Sequence, residues 1–463
     1  MHKKFLTGAL AAAAAAVLMG CATTSTTASP GGSGPSSLSA AADQFAAGQP
    51  PELRPFFTAL YIEGEHNAVL NFDYLGLAAL ETAHYRIAAR SLDAAITRIE
   101  AIYANNPSAQ KAKSLFAAEK VKDFKGEPYE RAMTYFYRGL LYARVGDYEN
   151  ARASFLAAEE QSMMSESESY QDTFGLMDFL AGWASHCDGD DPRADDLGAR
   201  AAKVQPDPFA SLNDKVNYVA LADVGIGPVK YAKGKYQEKL AFKPARAGPI
   251  PTFDIGASNA TVGTTYIGAN IDYQAETRGG RPVDAILHGK AIWKGTTNKA
   301  SNLLTSTGAA ATIEGALTGN NDLQEGGEIG WAVGFVGGLF SHAMTAKADT
   351  RAWASLPEAI EIATGTFAGD ATPAISAGAA GDARVTPLDA RAGRCAISWT
   401  KAPGLLALAR GRVGSPEPDE AGHVAENRAL RAFLESTFPP AQPAQAAQTA
   451  QTAQAGTSSR GQP

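Results

Sequence analysis

Residues 135–158 read YFYRGLLYARVGDYENARASFLAA, and their alternation of small and aromatic side chains limits the fold more than any other feature of the chain. Tyr135, Gly139, Tyr142 and Gly146 follow one another at intervals of three or four residues, as do Tyr148, Ala151, Phe155 and Ala158. That period belongs to one face of a helix. Gly146 and Asp147 interrupt it, so the stretch predicts two helices joined by a tight turn. Gly139 and Ala151 let the two helices approach closely, the four aromatics fill the seam, and Ala158 leaves room for the next element. A single helical hairpin cannot bury its own apolar face, and about three are needed for a stable stack. A weaker copy lies upstream, at Phe72, Leu75, Gly76, Ala83, Tyr85, Ala88, Leu92 and Ala95, with no glycine at its turn. Another follows at Gly182, Gly189, Ala194, Ala201 and Pro206.

This spacing resembles the tetratricopeptide repeat, with Pro206 at the family's terminal proline and Arg138 departing from its usual leucine. The resemblance implies a curved helical scaffold that binds protein segments on a concave surface. An antiparallel helical bundle with similar small-residue contacts is the alternative.

The amino terminus gives the compartment. MHKKF supplies a basic start and LTGALAAAAAAVLMG a short apolar run, the pattern of a secretory signal. The run ends in LMGC, which resembles the bacterial lipobox, although Met19 is bulkier than that pattern prefers. The resemblance makes Cys21 the lipidated first residue of the mature chain. Ala22 stands where an Asp would retain such a protein at the inner membrane, so the expectation is an outer-membrane anchor facing the periplasm. Lipidation changes the membrane assignment from spanning to anchored. Two further cysteines remain, Cys187 and Cys395; an oxidising compartment permits a bridge between them, and two separate buried thiols is the alternative.

Composition changes along the chain divide it. Residues 1–20 form the signal peptide. Residues 21–54, rich in Ser, Thr, Gly and Pro, read as lipidated terminus and flexible tether. Residues 55–208 carry the helical period. From 209 to 412 Gly and Thr rise and strand-like segments such as NYVALAD and CAISW appear. Residues 413–463 read as a low-complexity, disordered tail with at most one peripheral helix. The fold class expected is therefore mixed: N-terminal all-α tetratricopeptide-like repeats followed by a smaller α+β domain.

In the second half, ADVGIGPVK and ADTRAWASLPEAI, together with the lipobox and FKGEPYERAMTYFYRGLLYARVGDYENAR, resemble a family of uncharacterised bacterial lipoproteins with tetratricopeptide-like repeats. The resemblance runs from about residue 73 to residue 369. It implies a role in the cell envelope, with no established enzymatic activity. In ADTRAWASLP, Asp349 is placed to cap a turn, Arg351 to pair with it and Trp353 to pack beneath; Arg351 and Trp353 are also the candidate binding residues.

The remaining chemistry is sparse. A net charge of -7 gives no electrostatic footprint for nucleic acid. ADVGIGPVK has G-x-G without the third glycine, and Pro228 opposes a helix start, so no nucleotide cofactor is expected. Glu63, Glu65 and His66 cluster, with a solvated loop as the preferred reading over a metal site. Asp188, Asp190 and Asp191 lack the spacing of a calcium loop and sit where a repeat needs its turn. No catalytic residue, cofactor or metal ligand emerges. The uncharged segment 329–345 is too short to span a bilayer and suits close packing or oligomerisation. The leading expectation is a scaffold that binds other cell-envelope proteins in envelope or surface-structure assembly. A cell-wall or polysaccharide-acting enzyme with its site in the α+β half, or a subunit of a secretion complex, are the alternatives. The oligomeric state is left open.

Overall fold

The computed structural model describes residues 37–104, 123–163, 174–205, 209, 216–234, 237, 239–250, 252–277, 348–377, 386–401, 415–419 and 422–440. Cys21, Pro206 and the apolar stretch 329–345 lie outside them. The chain is mixed α+β, as expected.

Helices α1 (Ser37–Ala47), α2 (Arg54–Glu63), α3 (Ala68–Glu81), α4 (Tyr85–Ala104), α5 (Pro128–Arg144), α6 (Tyr148–Met163), α7 (Gly175–Asp188) and α8 (Asp191–Val204) form the first layer. Three hairpins, α3–α4, α5–α6 and α7–α8, share one register. A residue one or two positions past the first helix is left-handed in each: Ala83 at φ 59°, Gly146 at 78° and Gly189 at 92°. Seven residues earlier each hairpin has a glycine at the crossing. A β-carbon on Gly76 would meet Leu92, one on Gly139 the Phe155 ring, and one on Gly182 the Ala194 carbonyl and Leu197. The register seen in the sequence is thus a geometric one, and Ala83 adopts without glycine the conformation its counterparts adopt with it.

The other spaced residues pack the seams. Ala151, Phe155 and Ala158 are fully buried. The Tyr135 hydroxyl donates to Glu100 of α4 at 3.2 Å. Tyr148 packs edge-on against Trp183 of α7. Tyr142 lies under the Arg138 guanidinium, 3.6 Å from it, and Arg138 pairs with Asp93 of α4 at 2.6 Å. The residue that departs from the leucine pattern therefore serves the same seam through charge.

The second layer is a sheet in the order β5 (Thr261–Val262), β7 (Ala359–Thr366), β1 (Tyr218–Val224), β10 (Cys395–Lys401), β9 (Leu388–Ala392), with β6 (Tyr266–Asn270) also on β7. β1 and β10 run parallel and every other pairing is antiparallel. NYVALAD and CAISW fall in the two central strands. Both are buried along their whole length, since strand side chains alternate between faces and both faces are covered. Val219, Leu221, Ile360, Ile362, Ile397 and Trp399 face the helices. Tyr218, Ala220, Ala222, Ala363 and Ala396 form a second, smaller core on the far face. Two ribbons, β2 (Val229–Lys233) with β3 (Lys239–Lys243) and β4 (Ile255–Ser258) with β8 (Ala374–Ala377), and the short helix α9 (Ile271–Thr277) complete the half.

Two expectations are corrected. The presumed tether contains α1, with Ala42 and Ala46 buried, and a short turn that buries Leu53. The one helix allowed for the tail is present as α10 (Val424–Thr437), but it is anchored and not merely peripheral, burying Leu430 and Leu434. Phe438, just beyond it, packs edge-on against Phe57, and Phe57 against Phe45 of α1. The Gln49 amide donates to the Phe438 carbonyl at 2.8 Å. The first and last described segments together cover one end of the helical layer. Alanine-rich and charge-rich compositions conceal short amphipathic helices, because two or three large apolar residues are enough to anchor one.

The change in pattern at residue 208 is not a division of the core. One hydrophobic cluster runs from Ala42 through the three hairpins to Val219, Ile360, Trp399 and Phe438. Cys187, in α7, and Cys395, at the start of β10, form a disulfide across the layers, 208 residues apart in sequence.

Candidate functional site

The first helix of each hairpin faces the sheet. α3 has no exposed residue, and α5 is buried over most of its length. Between these helices and the sheet runs an irregular segment, residues 348–358, with a turn at 354–355, which leads into β7. It fills the groove between the two layers, with Trp353 and Leu356 buried.

The helices and strands hold this segment by its main chain. Lys230 of β2 donates to the Arg351 carbonyl at 2.9 Å. The Tyr74 hydroxyl donates to the Ala352 carbonyl at 2.9 Å and accepts from the Ala354 amide at 2.8 Å. The Trp353 amide donates to Glu130 Oε1 at 2.8 Å. Lys401 of β10 donates to the Ser355 carbonyl at 3.0 Å. Two of these donors are halves of buried ion pairs, Lys230 with Glu130 and Lys401 with Glu81, both at 2.6 Å. Glu130 is fully occupied, since its Oε2 also accepts from the Glu127 amide at the start of α5. A charge taken out of water is tolerated only with such complete pairing.

Beneath the segment sits a buried polar trio. Tyr137 of α5 donates to Asp223 Oδ2 at 2.7 Å, and the Trp399 indole donates to Oδ1 at 3.1 Å. Burial pushes the Asp223 carboxyl up to about 6 and the Tyr137 phenol well above its ordinary value. Alongside, Thr134 donates to Asp73 at 2.9 Å, and burial raises that carboxyl too. These groups carry raised pKa values of the kind found in catalytic sites. They are packed between helix and strand, and their partners make them structural.

The two candidate binding residues lie in this segment. Arg351 forks onto Asp349, at 2.6 Å for the closest pair, and donates to Asn67 at 2.7 Å; the Asp349 carboxylate also accepts from the Arg351 amide at 2.9 Å. Trp353 is 2% exposed and packs edge-on against Tyr137. The turn cap, the ion pair and the buried indole stand as the sequence pattern suggests. Both side chains are spent on holding the segment down rather than presented to an outside ligand.

The acidic and histidine clusters are likewise committed. Glu63 accepts from Asn67 and Asn71, each at 3.0 Å, and Glu65 pairs with Arg98 at 2.7 Å. His66 is half-buried beside Arg351, and burial and that guanidinium hold its pKa below the ordinary value. This is a packed junction, not the solvated loop expected. Asp190 caps α8 by accepting from the Arg193 amide, and Asp191 pairs with His186 at 2.7 Å. Among the described residues no group of three His, Cys, Asp or Glu side chains is placed to hold a metal ion.

A cleft of about 320 Å³ opens between the end of α8 and the β6–α9 junction. Phe174, Gln205, Asn270 and Tyr273 line it, so it offers amide, phenol and aromatic groups. Gln205 is itself bonded to the Ile267 carbonyl at 2.8 Å.

No protein-family model, no curated protein and no solved structure matches this chain.

The sequence contained every member of the groove but not its assembly. Glu130 and Lys230 are 100 residues apart, and Glu81 and Lys401 are 320 apart. The only local signals were Glu130 three residues after Glu127 at a helix start and a polar, tryptophan-containing segment before a strand.

Proposed function

We propose that this protein is a lipid-anchored scaffold of the cell envelope, built on tetratricopeptide-type repeats, whose partner surface is the outside of the helical stack. One observation carries the reading: the groove of the stack is filled by the chain's own segment through five main-chain hydrogen bonds. Displacing the segment would take the Arg351 and Ser355 carbonyls from the buried Lys230 and Lys401 and the Trp353 amide from the buried Glu130. A buried polar group left without its partner costs about 1–3 kcal/mol, so an outside peptide does not readily take the segment's place. The hairpin register at Ala83, Gly146 and Gly189 supports the repeat assignment. The second helix of each hairpin is left to meet other envelope proteins, through solvent-facing positions such as Arg86, Glu149 and Asp196.

The Cys187–Cys395 bridge supports an oxidising compartment, where such bonds persist. Among the described residues no helix is long and apolar enough to cross a membrane. In this reading membrane attachment comes from Cys21, and Cys21→Ser moves the protein from the membrane fraction to the soluble periplasm. Retention in membranes after a salt wash contradicts the anchor.

The scaffold reading is tested by photocrosslinking in cells. A photoreactive residue at Arg86, Glu149 or Asp196 is expected to trap other envelope proteins, and one at Leu356 only the chain itself. Intermolecular products from Leu356 with none from the outer helices would reverse the assignment of surfaces.

A further inference from the structure

The β2–β3 ribbon lies in a densely basic stretch of the chain. Between residues 229 and 246 the sequence holds Lys230, Lys233, Lys235, Lys239, Lys243 and Arg246 against one acid, Glu238, in a chain of net charge -7. The ribbon pairs with no other strand among the described residues. Its two faces differ sharply. On the inner face Lys230 is buried on Glu130, Leu240 is buried, and Phe242 packs edge-on against Tyr129 of α5. The register puts Val229 opposite Lys243 and Tyr231 opposite Ala241 on the outer face. Val229, Tyr231, Lys233 and Lys243 are exposed there, and Ala241 is buried between them.

That outer face is built at some cost to the ribbon itself. Val229 and Tyr231 are 39% and 38% exposed, two of the few large apolar residues left in solvent among the described residues. Lys243 lies 5.7 Å from the centre of the Tyr231 ring. An aromatic and a valine flanked by lysines form the side-chain set that settles at a bilayer surface: the ring enters the headgroup layer while the ammonium groups meet phosphates.

We infer that the outer face of the β2–β3 ribbon docks on an anionic phospholipid bilayer. Charge complementarity selects this occupant, since the lysines face a surface of phosphates and the exposed apolar pair needs a boundary into which it can sink. Arg246 is not part of the contact, because it pairs with Glu358. The surface is distinct from the lipid anchor and from the groove. It would hold the folded body against the membrane in one orientation, with the β2–β3 side down.

The test uses the full chain carrying Cys21→Ser, so that no acyl chain contributes. Its co-sedimentation is compared on phosphatidylcholine vesicles with and without about one-third phosphatidylglycerol. Binding to the anionic vesicles alone is expected, falling steeply as salt rises from about 0.05 to about 0.5 M. Each lysine near such a surface changes the partition roughly fivefold, so Lys233→Gln with Lys243→Gln lowers it about 25-fold. Tyr231→Ser lowers it as well, and more nearly independently of salt. All three side chains are solvent-facing, so the melting temperature stays unchanged and a loss of binding is not a loss of fold. Equal binding to both vesicle types, no binding to either, or a double variant within threefold of the parent overturns the inference. So does binding to soluble polyphosphate with none to vesicles.

Discussion

Ala83→Gly should stabilise this protein, although it removes a methyl group and adds a glycine next to a helix. Ala83 sits at φ 59°, in the turn that Gly146 and Gly189 make in the other two hairpins. A left-handed conformation costs an L-residue about 1–2 kcal/mol. Glycine avoids that cost but loses about 0.4–1 kcal/mol through the greater freedom of the unfolded chain. The difference leaves a net gain of about 0.5–1 kcal/mol. The reverse changes calibrate it. A β-carbon on Gly189 meets nothing within 4 Å, so Gly189→Ala isolates the backbone term and should cost about 0.5–1 kcal/mol. A β-carbon on Gly146 would lie 2.7 Å from that of Ala392 on β9, so Gly146→Ala adds a steric term of about 1–3 kcal/mol. Chemical denaturation of the four proteins, with the midpoint read at constant slope, gives the order directly. The predicted order is Ala83→Gly above parent, Gly189→Ala slightly below, and Gly146→Ala lowest. A destabilised Ala83→Gly protein would refute the shared register, because it would mean the first turn is not the equivalent of the other two.

Reducing the Cys187–Cys395 bridge, or replacing both cysteines with serine, opens a loop closed across 208 residues and should cost about 3–5 kcal/mol, read as a drop in melting temperature on adding reductant. Asp272 gives a pH signature: burial first, then the neighbouring Glu358 charge, push its carboxyl up to about 7. An acid whose folded pKa is raised keeps a proton that the unfolded chain has released, so its penalty grows as pH climbs from about 4 to 7. Asp272→Asn should therefore gain stability relative to the parent with rising pH over that window, and a pH-independent difference between the two would contradict the assignment.

What could be read from sequence was local. The hairpin of residues 135–158 is legible because glycine and alanine at helical spacing have few uses besides close helix contact. The central strands are legible because NYVALAD and CAISW are short apolar runs rich in residues that suit a pleated surface. The Asp349–Arg351 turn follows from an acid two residues before an arginine. The groove was not legible, because its contacts run from side chains on distant elements to a main chain that has no sequence signature. The boundary near residue 208 was real as a change of period. It misled as a domain limit, since Val219 and Ile360 bury themselves against the helices rather than in a core of their own.

The most direct measurement of the central claim is hydrogen exchange across residues 351–356 in the intact protein. The Trp353 amide is bonded to Glu130 and the Ala354 amide to Tyr74, both in the interior. If the segment is a permanent occupant of the groove, these amides exchange only when the whole core opens, as slowly as those of β1. Exchange at the rate of an exposed loop would show that the groove opens on its own, and would return it to the surfaces available to a partner.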